Sequence, residues 1–253
     1  NWDPSLKTAI SDLEVKLKKE QANLWFIKYK LYDSNKNIII ATTRPETIFG
    51  DTAIAINPKD TRYKNLINKK VIVPITNKII PIIYDEYVDI NFGTGCLKIT
   101  PAHDFNDYKI AKKHSLKIIN ILSDDATMNN NTSNKYINLN RFEARNKIIK
   151  ELTELNLIYK KETYNINIPR CERTNTIIEP YITNQWYIKM TPLSYLAESA
   201  VKKNLIKFIP QKWEKTYFNW INNLEDWCIS RQLWWGHKIP AWYDNKNIYV
   251  GYK

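Results

Sequence analysis

The sequence predicts an α+β fold in which a barrel-like β-structure is flanked by helices. Runs of apolar and β-branched residues follow one another at short intervals between residues 24 and 100, and turn-forming residues separate them. Several short strands at this spacing are typical of a β-barrel or a sandwich. Helical patterns over 105–113 and about 141–155 exclude an all-β class.

The first hairpin is predicted from Leu24 to Thr42. One strand spans Leu24–Tyr32, Asp33-Ser34-Asn35 forms the turn, and the partner strand spans Asn37–Thr42 before Pro45 ends it. The preceding residues, 4–22, are polar with apolar residues at near-helical spacing. They form either a short surface helix or an extended connector.

The rest of the chain alternates short strands, loops and helices. An exposed loop is predicted at 124–140, a strand or hairpin at 157–168, and a turn in which Asn175 adopts a left-handed backbone. The aromatic residues that recur from Trp213 predict an amphipathic helix whose stripe packs in the core. Further short strands are predicted at Ala53–Ile56, Val71–Val73, Ile79–Ile83, Tyr87–Ile90 and Cys96–Thr100.

The stretch from Gly93 to Tyr108 concentrates polar side chains at the end of one strand and the start of one helix. Lys98 and Thr100 are two residues apart, so they lie on one face of the strand. Asp104 is the predicted N-cap of a helix from Phe105 to about Lys113, with Asp107 in its first turn. Either these carboxylates serve only the helix, as cap and as partner of its dipole, or they serve a functional site. His103 is either a general base or a structural residue of the turn, and the structural interpretation is favoured.

Composition limits the class of protein without defining it. The 253 residues suggest one or two domains, and 38 Lys and Arg against 26 Asp and Glu give a formal charge of +12. This excess indicates a polyanionic partner, with nucleic acid the first candidate; an AT-rich genome, which favours Lys, Asn and Ile codons, is the alternative explanation.

Cysteine usage and hydropathy indicate a cytoplasmic, soluble protein. The three cysteines contain no C-x-x-C pair, which argues against a disulfide framework and against a zinc site. No apolar run reaches the length of a membrane span and no signal peptide is evident. Because the chain begins at Asn1 rather than at Met, we expect an excised fragment.

Two long motifs resemble the editing domain of valyl-tRNA synthetases, which are class I aminoacyl-tRNA synthetases. They read A-T-T-R-P-E-T-I-F-G-D-T-A from Ala41 and G-T-G-C-L-K-I-T-P-A-H-D-F-N-D-Y from Gly93. The similarity extends from Asn1 to W-G-H-K-I-P-A-W, which ends at Trp242. It implies an editing core at 20–165, with 1–19 and 166–253 as extended or helical connective segments to and from a class I catalytic core. The sequence contains no H-I-G-H and no K-M-S-K-S, so we expect no aminoacylation by this chain alone.

The resemblance implies that the chain hydrolyses threonyl-tRNA(Val) after transfer. Lys98, Thr100 and Asp104 would recognise the threonyl hydroxyl, and Asp107 would bind the α-ammonium group. Asp107 and Asp104 are the expected catalytic residues. Water, oriented by Asp104 or by a ribose hydroxyl of the substrate, would attack the ester without a covalent intermediate.

The same family motifs imply further contacts. Arg44 and Thr43 would line the pocket near the terminal adenosine and the ester, and Thr47 and Phe92 occupy matching motif positions. Glu46 is either a base or, as favoured, a surface partner of a lysine. Independently of the family motifs, Lys109, Lys112 and Lys113 on the helix after Asp104 are candidates for phosphate contacts, or they form a solvated helix face.

Editing is expected to need no cofactor and no metal, whereas the full-length enzyme would use ATP and Mg. The expected partners are the tRNA(Val) acceptor end, the threonyl moiety and the remainder of the synthetase, with the protein a monomer. Two alternatives stay open: an editing domain of the isoleucyl or leucyl type, and a non-catalytic module that binds the tRNA acceptor end.

Overall fold

The computed structural model describes residues 1–251. The fold is α+β, as predicted. Its contacts divide the chain into two compact units. The first unit contains Asn1–Lys7 and Val15–Ile182, and the second contains Thr8–Glu14 and the residues from Thr183 onward.

Within residues 1–251, the secondary structure consists of strands of 2–17 residues, four α-helices and short 3₁₀ helices. The strands are β1 (Trp2–Asp3), β2 (Thr8–Ala9), β3 (Val15–Leu31), β4 (Asn37–Thr42), β5 (Ala53–Ile56), β6 (Lys70–Ile72), β7 (Ile79–Tyr84), β8 (Cys96–Ile99), β9 (Ile158–Cys171), β10 (Tyr187–Ile188), β11 (Trp227–Cys228), β12 (Ala241–Tyr243) and β13 (Ile248–Val250). The α-helices are α1 (Phe105–Lys113), α2 (Arg141–Glu154), α3 (Met190–Lys202) and α4 (Trp213–Asn222). The 3₁₀ helices are Asp12–Glu14, Pro45–Gly50 and Thr61–Leu66.

The first unit is built on a curled half-barrel sheet of seven strands. Six of them follow the order β4-β3-β6-β7-β5-β8, and β9 pairs with β3. β5 and β7 are parallel, whereas β5 and β8 are antiparallel. The predicted hairpin is confirmed, because Trp25 lies opposite Thr42 and Lys30 opposite Asn37.

The predicted start of the first strand at Leu24 is wrong. β3 already begins at Val15, because the residues from Val15 to Ile27 pair with β9 from Cys171 back to Ile158. Cross-strand pairing therefore selects the extended form for the end of the 4–22 segment. The first unit is consequently longer at both ends than the predicted 20–165 core; the assignment of 1–19 and 166–253 to connective segments stays a prediction.

The smaller of two apolar clusters packs α1 against β5 and β8 of the sheet. β5 is buried on both faces: Ile54 and Ile56 join the larger cluster, whereas Ala53 and Ala55 join the smaller one. The smaller cluster also contains Val88, Ile99 and Ile110. The strand that carries Lys98 and the helix that carries Asp107 are thereby packed on one another.

The predicted strand at Tyr87–Ile90 is wrong, because side chains bond to the backbone there. Asp85 Oδ1 accepts the Tyr87 N–H at 3.0 Å, and Asn57 Nδ2 donates to the Val88 carbonyl at 2.8 Å. Such local bonds compete with a strand ladder and favour turns.

The segment 124–140 lacks named helices and strands, as predicted, but it is not uniformly exposed. Met128 and Tyr136 are completely buried in the larger cluster. The Tyr136 ring lies 5.1 Å from that of Phe49, and its hydroxyl donates to Glu151 of α2. A polar loop sequence thus contributes large side chains to the core.

The second unit departs most from the sequence-based expectation. A helix begins at Trp213 as predicted but ends at Asn222, before Leu224 and Trp227, and no residue of α4 is buried. The predicted packing of its aromatic stripe in a core is therefore wrong. No helix within residues 1–251 has both the length and the apolar character needed to cross a membrane.

Candidate functional site

The backbone makes a tight turn from Gly93 to Gly95. Both glycines have positive φ angles, +59° for Gly93 and +76° for Gly95, which favour glycine. A Cβ on Gly93 would lie 2.9 Å from the Ala41 Cβ. The Thr94 hydroxyl donates to the Ile39 carbonyl at 2.6 Å. The turn thereby fixes the start of β8 against β4.

Lys98 lies at the centre of a buried polar network. Its Nζ donates to Thr47 Oγ1 at 2.7 Å, to Asp51 Oδ1 at 2.9 Å and to Thr100 Oγ1 at 2.5 Å. The predicted common face of Lys98 and Thr100 is confirmed. Because an ammonium group has three donors, all donors of Lys98 are used within the protein.

Asp51 is the residue of this network that sequence reasoning missed. Its Oδ1 also accepts the Thr100 hydroxyl at 3.0 Å, and its Oδ2 accepts the Tyr29 hydroxyl at 2.7 Å. Burial and the Asp51 charge raise the pKa of Tyr29 well above its ordinary value. A buried lysine requires a counter-charge, so Asp51, inside the Ala41–Ala53 motif, was the carboxylate to look for.

Asp107 is a buried carboxyl group whose pKa lies near neutrality. Its Oδ2 accepts the backbone N–H of Thr100 at 2.8 Å. Burial raises the pKa of Asp107 to about 7; the Asp104 charge acts in the same direction, while the Thr100 hydrogen bond and the Lys98 charge oppose it. A small change in local charge therefore shifts its protonation at neutral pH.

Asp104 is the exposed neighbour of Asp107 and the confirmed N-cap of α1. Its Oδ1 accepts the N–H of Asn106 at 2.8 Å and the N–H of Asp107 at 3.1 Å. Capping accounts for the residue locally, and any catalytic role of Asp104 comes in addition to this one.

His103 is held as a neutral structural residue. Its Nε2 accepts the Ile121 N–H at 3.0 Å. Burial lowers the pKa of His103 to about 3, and the charges of Arg44 and Lys98 act in the same direction. These contacts favour the structural interpretation over a general base.

Arg44 reaches this region from the end of β4. Its Nη1 donates to the His103 carbonyl at 3.2 Å, its Nε to Glu46 at 3.1 Å and its Nη2 to Glu179 at 2.6 Å. Thr43 is half-buried beside it. The two motifs that the sequence singled out are therefore brought together.

Glu46 is not a surface partner of a lysine, so that expectation is wrong. It is completely buried and bonded to Arg44 and Arg145. Burial alone would raise the pKa of Glu46, but the hydrogen bonds and charges of Arg145 and Arg44 lower it to about 2. Glu46 is thus a permanent anion at neutral pH, whereas Asp107 is not.

Phe92 and the lysines of α1 lie outside the Lys98 network. The half-exposed ring of Phe92 packs edge-on against Tyr164 of β9, with 5.8 Å between centroids. Lys112 lies over the Tyr108 ring at 4.7 Å, and Lys113 donates to Asp85 at 2.9 Å. Their roles towards a substrate stay predictions.

The site thus combines two hydroxyls, a buried ammonium, a guanidinium and a carboxyl group with a pKa near 7. Such a set can recognise a polar ligand that carries both a cationic group and a hydroxyl group. Among residues 1–251, no three His, Cys, Asp or Glu side chains are grouped so that they could hold a metal ion.

The model of the family "tRNA synthetases class I (I, L, M and V)" matches residues 1–252. The chain belongs to this family.

Curated relatives make the similarity more specific. The chain is 56% identical over 253 residues to the valine--tRNA ligase of Legionella pneumophila strain Paris, covering 100% of the chain and 28% of the relative. It is 55% identical over 252 residues to that of Coxiella burnetii and 52% identical over 252 residues to that of Francisella tularensis, covering 99% of the chain and 27% of each relative. The resemblance to valyl-tRNA synthetases is confirmed, and the chain spans little more than a quarter of their length.

Among solved structures, the chain is similar to LeuRS in a ternary complex of Agrobacterium radiobacter K84 agnB2 LeuRS, tRNA and LeuAMS. The TM-score is 0.45 at 16% sequence identity, and the match covers 92% of this chain and 24% of that one.

Proposed function

We propose that the chain is the proofreading part of a valyl-tRNA synthetase and hydrolyses threonyl-tRNA(Val). Water attacks the carbonyl carbon of the ester, the bond to the ribose oxygen breaks, and threonine and deacylated tRNA are released. The carrying observation is the buried Asp107, whose pKa is about 7, beside the Lys98 network. The relatives' name, valine--tRNA ligase, supports the choice of tRNA(Val).

The chemical need for such a site follows from the shapes of the two amino acids. Valine and threonine are nearly isosteric, and the hydrophobic synthetic pocket of valyl-tRNA synthetases, a known case, excludes threonine by only about a hundredfold. A second site must therefore bind the hydroxyl group through favourable polar contacts. A threonyl hydroxyl can take the place of one oxygen partner of Lys98, whereas a valyl methyl group that displaced the same partner would leave a buried donor unpaired, at a cost of about 1–3 kcal/mol.

Asp107 is suited to the α-ammonium group of the aminoacyl ester. A cation close to a carboxyl group favours its charged form, so the ligand itself would ionise Asp107. The pair then gains a charge-assisted hydrogen bond. Arg44 would contact the terminal nucleotide, with Thr43 and Phe92 as further substrate contacts.

The proposed hydrolysis uses no metal and no cofactor. Asp104 and the neighbouring ribose hydroxyl remain the two candidates for orienting the water. The acceptor end of tRNA(Val) would approach over a basic surface, where phosphate contacts provide affinity but little sequence information. ATP and Mg would be used only by the full-length enzyme.

The test is deacylation of Thr-tRNA(Val) and Val-tRNA(Val) by this chain and by its Asp107→Ala variant. We expect selective hydrolysis of the threonyl ester, its loss in the variant, and unchanged binding of uncharged tRNA. Glu154→Ala, on an exposed face of α2, is the matched control and should retain activity.

Each alternative predicts a different result. A non-catalytic module would bind tRNA without hydrolysing either ester in the intact chain. An editing domain of the isoleucyl or leucyl type would hydrolyse mischarged tRNA(Ile) or tRNA(Leu) in preference to Thr-tRNA(Val).

A further inference from the structure

Arg44 belongs to a series of ion pairs in which arginine and glutamate side chains alternate, here called the arginine–glutamate network. Its members lie on the Pro45–Gly50 helix and the residue before it, on α2, and on the segment after β9. They are Arg145, Glu46, Arg44, Glu179 and Arg141.

Arg145 of α2 holds the carboxylate of Glu46 with two hydrogen bonds. Its Nε lies 2.7 Å from Glu46 Oε2 and its Nη2 lies 2.8 Å from Glu46 Oε1. A bidentate pair of this kind fixes the plane of the carboxylate as well as its position. Because Glu46 has no exposed surface, water does not compete for these bonds.

Glu46, held in this way, in turn orients Arg44. Its Oε1 also accepts Arg44 Nε at 3.1 Å, and Glu179 and the His103 carbonyl accept from the two terminal nitrogens. These contacts use three of the five N–H donors of the guanidinium. The other two remain for oxygen atoms of a ligand, and their direction follows from the plane that the network sets.

We infer that Arg145 is a positioning residue of the site: it orients Arg44 through Glu46 and touches no substrate itself. This inference rests on the proposed function, in which Arg44 contacts the terminal nucleotide of the aminoacyl-tRNA. Misplacing a binding group by about 1 Å can cost up to about a hundredfold, which is expected here in kcat/KM.

The expected effect is on substrate binding. Arg145→Gln should raise KM for Thr-tRNA(Val) and lower kcat/KM by about 10–100-fold, with little change in kcat, because a contact shared by ground state and transition state is weakened. Arg145→Lys keeps the positive charge but loses the bidentate hydrogen bonding of the guanidinium. This variant should therefore fold even if Arg145→Gln does not, and it should show a smaller rise in KM.

A double-mutant cycle separates positioning from a general structural role. In an Arg44→Gln background, Arg145→Gln or Arg145→Lys should cause no further loss, because the group that they orient is already gone. Lys150→Gln, which removes an exposed lysine from the same helix, should leave kcat/KM unchanged in both backgrounds. Losses that add in the Arg44→Gln background would overturn the inference.

A spectroscopic measurement tests the inference independently of hydrolysis. In the unsubstituted chain, the Nε–H of Arg44 should give a protected NMR resonance, which Arg44→Gln assigns by its loss. Arg145→Lys should shift and broaden it, and Lys150→Gln should not. An unchanged resonance overturns the positioning role; a shifted resonance in a chain that hydrolyses neither ester leaves the role intact and contradicts the proposed function.

Discussion

The two compact units place their energetically costly groups in opposite ways. The first unit buries ionisable side chains, with Lys98 at 7% exposure, Asp51 at 1% and Glu46 at 0%. The second unit exposes large aromatic side chains, with Trp234 at 107% and Trp235 at 92%. In most folded proteins charged groups are exposed and tryptophan is largely buried, so both units depart from the usual pattern, in opposite directions.

The difference shows where each unit obtains its stability. The buried charges of the first unit are compensated by partners within that unit, as Lys98 is by Asp51 and Glu46 by Arg145. The exposed rings of the second unit remove little apolar surface from water within the residues described, so they add little to folding free energy. Three substitutions test this contrast, from the largest expected effect to the smallest.

The largest effect is expected for Asp51→Ala. It leaves the buried ammonium of Lys98 without its counter-charge and removes the acceptor of the Tyr29 hydroxyl. Breaking a buried pair from one side typically costs about 3–5 kcal/mol. We expect a loss of this size in the free energy of unfolding, measured by chemical denaturation and by amide hydrogen exchange within the first unit.

Two companions make this measurement specific. Lys98→Met/Asp51→Leu, which removes both charges, should be less destabilised than Asp51→Ala, because no uncompensated ion remains. Glu154→Ala breaks an exposed pair with Lys150 and should cost below about 0.5 kcal/mol. A cost for Asp51→Ala no larger than that of Glu154→Ala would mean that the network does not stabilise the unit.

An intermediate effect, and one that depends on pH, is expected for Asp107→Asn. The pKa of Asp107 is raised from 3.8 to about 7, so the unfolded chain releases this proton at lower pH than the folded chain. Its contribution to stability is therefore complete below about pH 4 and is lost as pH rises towards 7, by about 1.4 kcal/mol per pH unit at most. The charged groups that act on it are Asp104, Lys98 and Asp51.

The measurement is the stability of Asp107→Asn minus that of the unsubstituted chain between pH 5 and 8. We expect this difference to grow in favour of the variant up to about pH 7 and then to level off. Asp60→Asn is the control of opposite sign, because the hydrogen bond and charge of Arg62 lower the pKa of Asp60. The loss of stability caused by Asp60→Asn should stay constant over the same pH range. A flat difference for Asp107→Asn would show that Asp107 is ionised throughout.

The difference between local and distant interactions explains how much of the structure could be predicted from the sequence. β4 and α1 were predicted to the residue, because alternation, Pro45 and the Asp104 cap are local signals. The common face of Lys98 and Thr100 followed from the period of a strand. For these two elements, signals between neighbours in sequence were sufficient.

Several misses arise from partners distant in sequence. β3 extends back to Val15 because β9, about 150 residues later, pairs with it. Asp51 was overlooked because its partner Lys98 is 47 positions away. Tyr136 is buried by a core that the polar composition of its loop does not reveal. The aromatic stripe of α4 has the pattern of a core-facing helix, and periodicity alone does not state what lies opposite.

The smallest effect is expected for Trp234→Ala in the second unit. Its side chain is fully exposed within the described residues, so its removal should change the free energy of unfolding by less than about 0.5 kcal/mol. Trp2→Ala is the matched substitution in the first unit. Trp2 is 6% exposed, packs its ring at a tilt against that of Tyr181 with 4.9 Å between centroids, and donates from Nε1 to the Asp124 carbonyl at 2.6 Å. Its loss should cost about 3–5 kcal/mol. Amide exchange resolved to each unit measures both losses of stability. If Trp234→Ala destabilises its unit as much as the loss expected for Trp2→Ala, Trp234 is covered in solution, and the contrast between the two units does not hold for this residue.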